Sequence, residues 1–200
     1  RQSTIKDWLS CPLMFRYRHV LQLAPSYRSL AAIHGSALHL CIHRLHMEGF
    51  DLDLGLLYTQ ALEEILGAEK HIPIRWKKGV EEDRLIMKTH AEEILKGYVN
   101  HEQNRTSTLM YSEVKFRVRV NGILLTGTID QVRRNMDRSL ELIDLKSGMQ
   151  RPLKRALQRD WQLNLYAYAL RYGEIFIHSS WVRIRMKVHR TSIYFLRAHE

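Results

Sequence analysis

The sequence predicts an α/β fold of the α+β kind, in which a central mixed β-sheet is flanked by helices. Two observations point there. Apolar residues recur at helical spacing through roughly the first hundred positions, as with Leu38, Ile42 and Leu45, and the period then drops to two. In "EVKFRVRV", Val114, Phe116, Val118 and Val120 alternate with Glu113, Lys115, Arg117 and Arg119, the pattern of a strand with one apolar face.

The elements follow in order. "STIKDWLSCPLMFRYRHV" (residues 3–20) starts with helix-capping Ser and Thr and sets Ile5, Trp8 and Leu9 on one side. Pro12 ends that helix and begins another at its first turn. A loop around Pro25 leads to a helix from Gly35 to about Met47, stopped by Gly49. Residues 52–66 and 80–103 read as two more helices. Asn121-Gly122 is a strong hairpin signal between the first two long strands. "NMDR" turns the second strand, Ile123 to about Arg134, into a third. A basic loop, the helix "DWQLNLYAYALRYG" and strands around 175–187 and 192–196 complete the order.

The 200 residues are 45% apolar, enough for one substantial core, and the simplest organisation is a single domain over 1–200. Every apolar stretch is broken by charges or histidines well before the roughly 20 residues that cross a bilayer, so no membrane association is expected. No signal peptide is visible. A start at Arg1 rather than Met reads as a piece of a longer chain. Two cysteines, Cys11 and Cys41, form no framework and suit a reducing, cytoplasmic setting. With 31 Lys plus Arg against 21 Asp plus Glu, the net charge of +10 favours a polyanionic partner.

The stretch "ELIDLKSG" (141–148) holds the chemistry. Asp144 and Lys146 project to one face of a strand, Ile143 and Leu145 to the other. Taken alone, this fits equally a half-exposed strand with a weak ion pair. The turn centred on Asp137 changes the weighing, because antiparallel partners then have numbers summing to 274, which sets Asp130 across from Asp144. Two carboxylates so close repel each other unless a cation lies between them. A divalent metal resolves the conflict, and Lys146 beside it is a fixed positive charge suited to a phosphate. His34, His39, His43 and His46 cluster on the early helix, and His39 with His43 has zinc-compatible spacing, though no HExxH glutamate accompanies them. Gln162 and Tyr166 share a face of the late helix.

Four motifs in order, "GSALH" (35–39), "GTIDQV" (127–132), "IDLKSG" (143–148) and "QLNLY" (162–166), resemble the RecB-like, Cas4-like exonuclease branch of the PD-(D/E)XK nuclease superfamily. The opening "STIKDWLSCPLMFRYRHVLQL" resembles the same branch. The resemblance covers roughly residues 3–172. It implies a restriction-endonuclease-like core at about 30–48 and 108–200, with a helical insertion at about 50–105. It also implies His39, Asp130, Asp144 and the backbone carbonyl of Leu145 as metal ligands, Lys146 as the catalytic lysine, and Gln162 and Tyr166 as site support and DNA contacts. The choice of His39 among its histidine neighbours rests on this resemblance alone. Oxygen ligands with one imidazole suit Mg²⁺ or Mn²⁺.

Basic residues beside this site give DNA phosphates something to meet: Arg133, Arg134 and Arg138 after Asp130, and Arg151, Lys154, Arg155 and Arg159 before Gln162. The strand read from Trp181 to His189 carries a further basic face. Cluster-bearing relatives place three cysteines after the QxxxY helix, and none follows Cys41 here, so an iron–sulfur cluster is not expected and Cys11 reads as a core thiol. The expected function is Mg²⁺- or Mn²⁺-dependent exonuclease action on DNA in recombination, repair or defence, with a helicase domain or subunit as a possible associate. The alternatives are a non-catalytic nucleic-acid-binding module or a structural subunit that keeps the fold.

Overall fold

Pro12 divides the N-terminal segment as its missing N–H dictates. Helix α1 (Gln2–Ser10) ends before it, and α2 (Pro12–Phe15) begins with it. Cys11 caps α2, its Sγ accepting from the Met14 N–H at 3.5 Å. It is half-buried, so the expected core thiol is instead a helix cap. The computed structural model describes residues 2–68, 70–148 and 160–197.

A π-helical turn over Arg16–Val20 precedes strand β1 (Arg28–Ser29) and helices α3 (Leu30–Glu48) and α4 (Leu54–Ala68). Strand β2 (Ile74–Arg75) pairs parallel with β1, and α5 (Val80–Gln103) follows. Then come β3 (Thr108–Val120), β4 (Ile123–Arg134), β5 (Leu140–Lys146), helix α6 (Trp161–Tyr172), β6 (Glu174–Ile177), β7 (Ser180–Val182) and β8 (Arg190–Phe195). Among the described residues, no helix is long and apolar enough to cross a membrane.

The chain divides into two compact units. The larger, built from 1–23, 106–145 and 150–194, holds most of a six-stranded sheet of order β7-β6-β3-β4-β5-β8. Asn121 and Gly122 take φ of 48° and 80°, the left-handed geometry that a two-residue hairpin requires. The sheet is mixed, as expected. β3, β4 and β5 are successive antiparallel neighbours, whereas β8 runs parallel to β5, with Leu140 accepting from the His189 N–H and Lys146 from the Leu196 N–H.

Helix α6 lays Leu163, Tyr166, Ala169 and Leu170 on Val114, Phe116 and Val118 of β3, with Ile129 and Leu142 beneath. Phe116 and Tyr166 meet edge to face at 5.5 Å. Gly173 ends α6 where a Cβ would lie 2.5 Å from the Arg117 carbonyl oxygen, so only glycine lets the chain pass there.

The strand expected over 175–187 is corrected. His178 and Ser179 take positive φ and turn the chain into the β6–β7 hairpin. Residues 183–189 then run irregularly, with Arg185 at φ 51°. Their alternation is nonetheless real, since Ile184, Met186 and Val188 pack on the core of α6 and β3.

The second unit, 24–105 with 146–149 and 195–200, is helical. Helices α3, α4 and α5 bury Leu38, Cys41 and Leu45, Tyr58 and Ala61, and Ala91 and Leu95. Burial raises the Cys41 thiol to about 12, which leaves it an inert core group.

Candidate active site

The β4–β5 ladder keeps the expected register, from Arg134↔Leu140 to Gln131↔Ile143. At the next step the ladder gives way to a side-chain bond that the register alone does not describe. Asp130 Oδ2 accepts from the backbone N–H of Leu145 at 2.7 Å, so the carboxylate sits where a strand carbonyl would otherwise receive that bond. Asp130 is 8% exposed and Asp144 2%. In a strand, N–H and C=O of one residue point to the same edge. The Leu145 carbonyl is therefore directed toward the β4 side, the side of Asp130.

Helix α6 supplies the partner of Asp144. Asp160 caps the helix, its Oδ1 accepting from the N–H groups of Gln162 and Leu163 at 2.8 and 3.2 Å. This fixes the first turn, and Gln162 Nε2 donates to Asp144 Oδ1 at 2.8 Å and to the Tyr166 hydroxyl at 2.8 Å. A carboxylate accepts only, so the amide nitrogen and not its oxygen faces Asp144. The four-residue spacing of Gln162 and Tyr166 thus has a physical use: the buried phenol orients the amide that holds the acid.

Glu113 is a candidate that the motif pattern missed. Its carboxylate oxygen and one of Asp130 lie within 4.8 Å of each other. The β3–β4 register explains why, because Ser112↔Gln131 and Val114↔Ile129 leave Glu113 opposite Asp130. Both strands slip phase there. Tyr111 and Val114 both pack on the core, as do Ile129 and Val132, leaving two residues between them on each strand where regular alternation allows one or three. Glu113 absorbs the slip with φ of 50°, an uncommon conformation for a residue with a side chain. The signal was available in the sequence, since a hairpin closed at Asn121-Gly122 pairs those positions.

His39 lies half-buried on α3, and Lys146 is the half-buried last residue of β5. Gly35, four residues before His39, approaches Ser147 so closely that a Cβ would lie 2.7 Å from its Oγ. Gly35 of the first motif therefore packs on Ser147 of the third.

The basic residues divide. Arg133 is 3% exposed and donates to Ser107 Oγ at 3.0 Å and Gln131 Oε1 at 3.0 Å. Its guanidinium braces the sheet, which corrects its expected place among the phosphate contacts. Arg134 is exposed. It lines a cleft of about 430 Å³ with Arg138, Leu140, Lys187 and His189, and no carboxylate is among the lining residues. Arg151, Lys154, Arg155 and Arg159 lie outside the described residues.

A model of the PD-(D/E)XK nuclease superfamily matches residues 2–191. The chain belongs to the PD-(D/E)XK nuclease superfamily. No curated protein matches it. The nucleases of this superfamily use divalent metal ions, and the donor set here fits one. Carboxylate oxygens of Glu113 and Asp130 lie within 4.8 Å of each other, and such oxygen donors suit a hard divalent cation.

Proposed function

We propose that the chain is a Mg²⁺- or Mn²⁺-dependent deoxyribonuclease of the RecB-like, Cas4-like branch, degrading DNA from free ends in repair, recombination or defence. In this reading the chain works as one nuclease domain in the cytoplasm, alongside a helicase domain or subunit. The observation that supports it best is the buried pair Asp130 and Asp144 at the point where β4 and β5 part, one bound to the Leu145 N–H and the other to Gln162. A fold with no use for cations has little reason to keep two carboxylates there.

When bound, a divalent ion polarises a phosphoryl oxygen and lowers the pKa of a bound water. Asp130, Asp144, His39 and the Leu145 carbonyl would hold it, with Glu113 contributing a further oxygen beside Asp130. The Lys146 ammonium orients the attacking water and offsets the negative charge that builds on the phosphate in the transition state. Gln162, steadied by Tyr166, fixes the direction of the Asp144 carboxylate so that its oxygens need not reorganise during reaction. Arg134 and Arg138, with Lys187 and His189, bind backbone phosphates without reading sequence.

The test is hydrolysis of linear, circular and single-stranded DNA with Mg²⁺ or Mn²⁺. End-dependent degradation is expected. Tight, salt-sensitive binding without cleavage under either metal would instead favour a nucleic-acid-binding module on the nuclease fold.

A further inference from the structure

Beyond the acidic centre, the same sheet carries a second basic cleft at its other end. Lys115, Arg117 and Arg119 follow Glu113 at two-residue intervals along β3, so Arg117 lies about 13 Å further along the strand. Arg117, Arg119 and Arg183 line a cleft of about 310 Å³ with Leu124, Tyr172 and Glu174. Glu174 is the only carboxylate among the lining residues, and Arg117 Nε already holds it at 2.6 Å. Arg117 is further fixed over the ring of Trp181, 4.6 Å from its centroid, which itself packs on Phe176 at 5.3 Å.

Two cations therefore meet no acid, although Arg119 Nη1 donates to the Gly122 carbonyl oxygen at 3.2 Å. Arg119 and Arg183 are exposed and make no ion pair among the described residues. Beside them stand aromatic rings that the core does not use. Tyr172 is 56% exposed and Tyr168 41%, their rings 4.7 Å apart, and Phe176 is 40% exposed. Arginines converging on an open cleft suit a phosphate. Exposed rings next to them suit unpaired bases, whose faces a duplex would hide in its own stack.

We infer that this edge of the sheet, formed by the end of β3, the end of α6 and the β6–β7 hairpin, is a binding site for single-stranded nucleic acid. A backbone phosphate lies between Arg119 and Arg183, and a base stacks on Tyr172. The inference rests on the reading of the chain's substrate as DNA, and adds that the strand engaged away from the acidic centre is unpaired. The row Lys115, Arg117, Arg119 leads from Glu113 toward it, with a two-residue repeat of about 6.6 Å, comparable to the spacing of successive phosphates in an extended single strand.

Fluorescence anisotropy with a labelled single-stranded oligonucleotide, in EDTA so that nothing is hydrolysed, tests this directly. The double variant Arg119→Gln/Arg183→Gln is expected to bind at least about tenfold more weakly and to lower the slope of log K against log salt by about 0.7, the value for the one phosphate lost between them. Tyr172→Ala is expected to weaken single-strand binding by about tenfold and duplex binding less. All three substituted side chains are exposed, and an unchanged thermal melt verifies that the variants fold. Wild-type affinity and salt slope in the double variant would overturn the inference while leaving the nuclease reading to the cleavage assay. Binding lost as expected in these variants, together with no cleavage by wild type under Mg²⁺ or Mn²⁺, would keep this site and overturn the nuclease reading instead.

Discussion

Gln162 Nε2 donates to Asp144 Oδ1 at 2.8 Å, across from the helix α6 to the strand β5. An acid only 2% exposed is thereby given a neutral partner, one that directs the carboxylate without cancelling the charge a cation requires. Gln162→Ala is expected to lower cleavage by about 10- to 100-fold and to raise the Mn²⁺ concentration at half-maximal rate, the usual cost of losing a residue that orients a ligand. Gln162→Glu should be worse, because a second carboxylate would then face Asp144. Rates measured across a Mn²⁺ titration, beside thermal melts, check both.

Two neighbouring arginines should behave oppositely. Arg133→Ala removes the donor to Gln131, which is fully buried, and to Ser107. A cost of about 2 kcal/mol is expected, lowering the melting temperature by roughly 4–8 °C and leaving DNA affinity unchanged when measured well below the melt. Arg134→Ala is expected to leave the melt alone and to reduce the salt dependence of DNA binding by about one phosphate contact.

Gly173→Ala tests the approach of α6 to β3. The added methyl would lie 2.5 Å from the Arg117 carbonyl oxygen and 2.8 Å from that of Ala169. Backbone on both sides has little room to yield, so a loss of about 1–3 kcal/mol is expected in urea denaturation.

Much of this was legible in the sequence because register is arithmetic once turns are known. Asn121-Gly122 and the turn at Asp137 fixed the partners of β3, β4 and β5, and hence the proximity of Asp130 to the Asp144 segment. Gln162 and Tyr166 were legible as a pair from helical spacing, but their bond to Asp144 depends on the Asp160 cap, which sets where the first turn begins. Glu113 was passed over because alternation assigned it to a wet face, whereas the paired phase slip on β3 and β4 turns it to Asp130. Arg133 was misjudged for the converse reason. Charge type suggests phosphate, and only packing reveals that the guanidinium lies inside with Gln131. The irregular run 183–189 kept a strand's alternation without a strand's ladder, a distinction that residue type does not carry.

The helical unit should lose stability in acid through His34. Its Nδ1 lies 2.6 Å from the Tyr58 hydroxyl and its Nε2 3.1 Å from His90 Nδ1. Burial, with the neighbouring His90 charge second, lowers its pKa from 6.5 to about 4. Between those values the unfolded chain binds the proton and the folded one does not, so stability rises with pH through this window. The contribution is complete above about pH 6.5 and is lost as pH falls toward 4, on the order of 3 kcal/mol at most. Urea denaturation at pH 7.5 and 5.0 should show this loss, and His34→Gln should flatten it.

Hydrolysis of DNA is expected to depend on a divalent ion held by Asp130 and Asp144. The most direct measurement is the rate of Mn²⁺-dependent degradation of linear DNA by wild type, Asp130→Asn and Asp144→Asn proteins, each verified by its thermal melt as folded. A loss on the order of a hundred- to a thousandfold is expected in both variants. Cleavage by either folded variant at close to the wild-type rate would contradict this dependence.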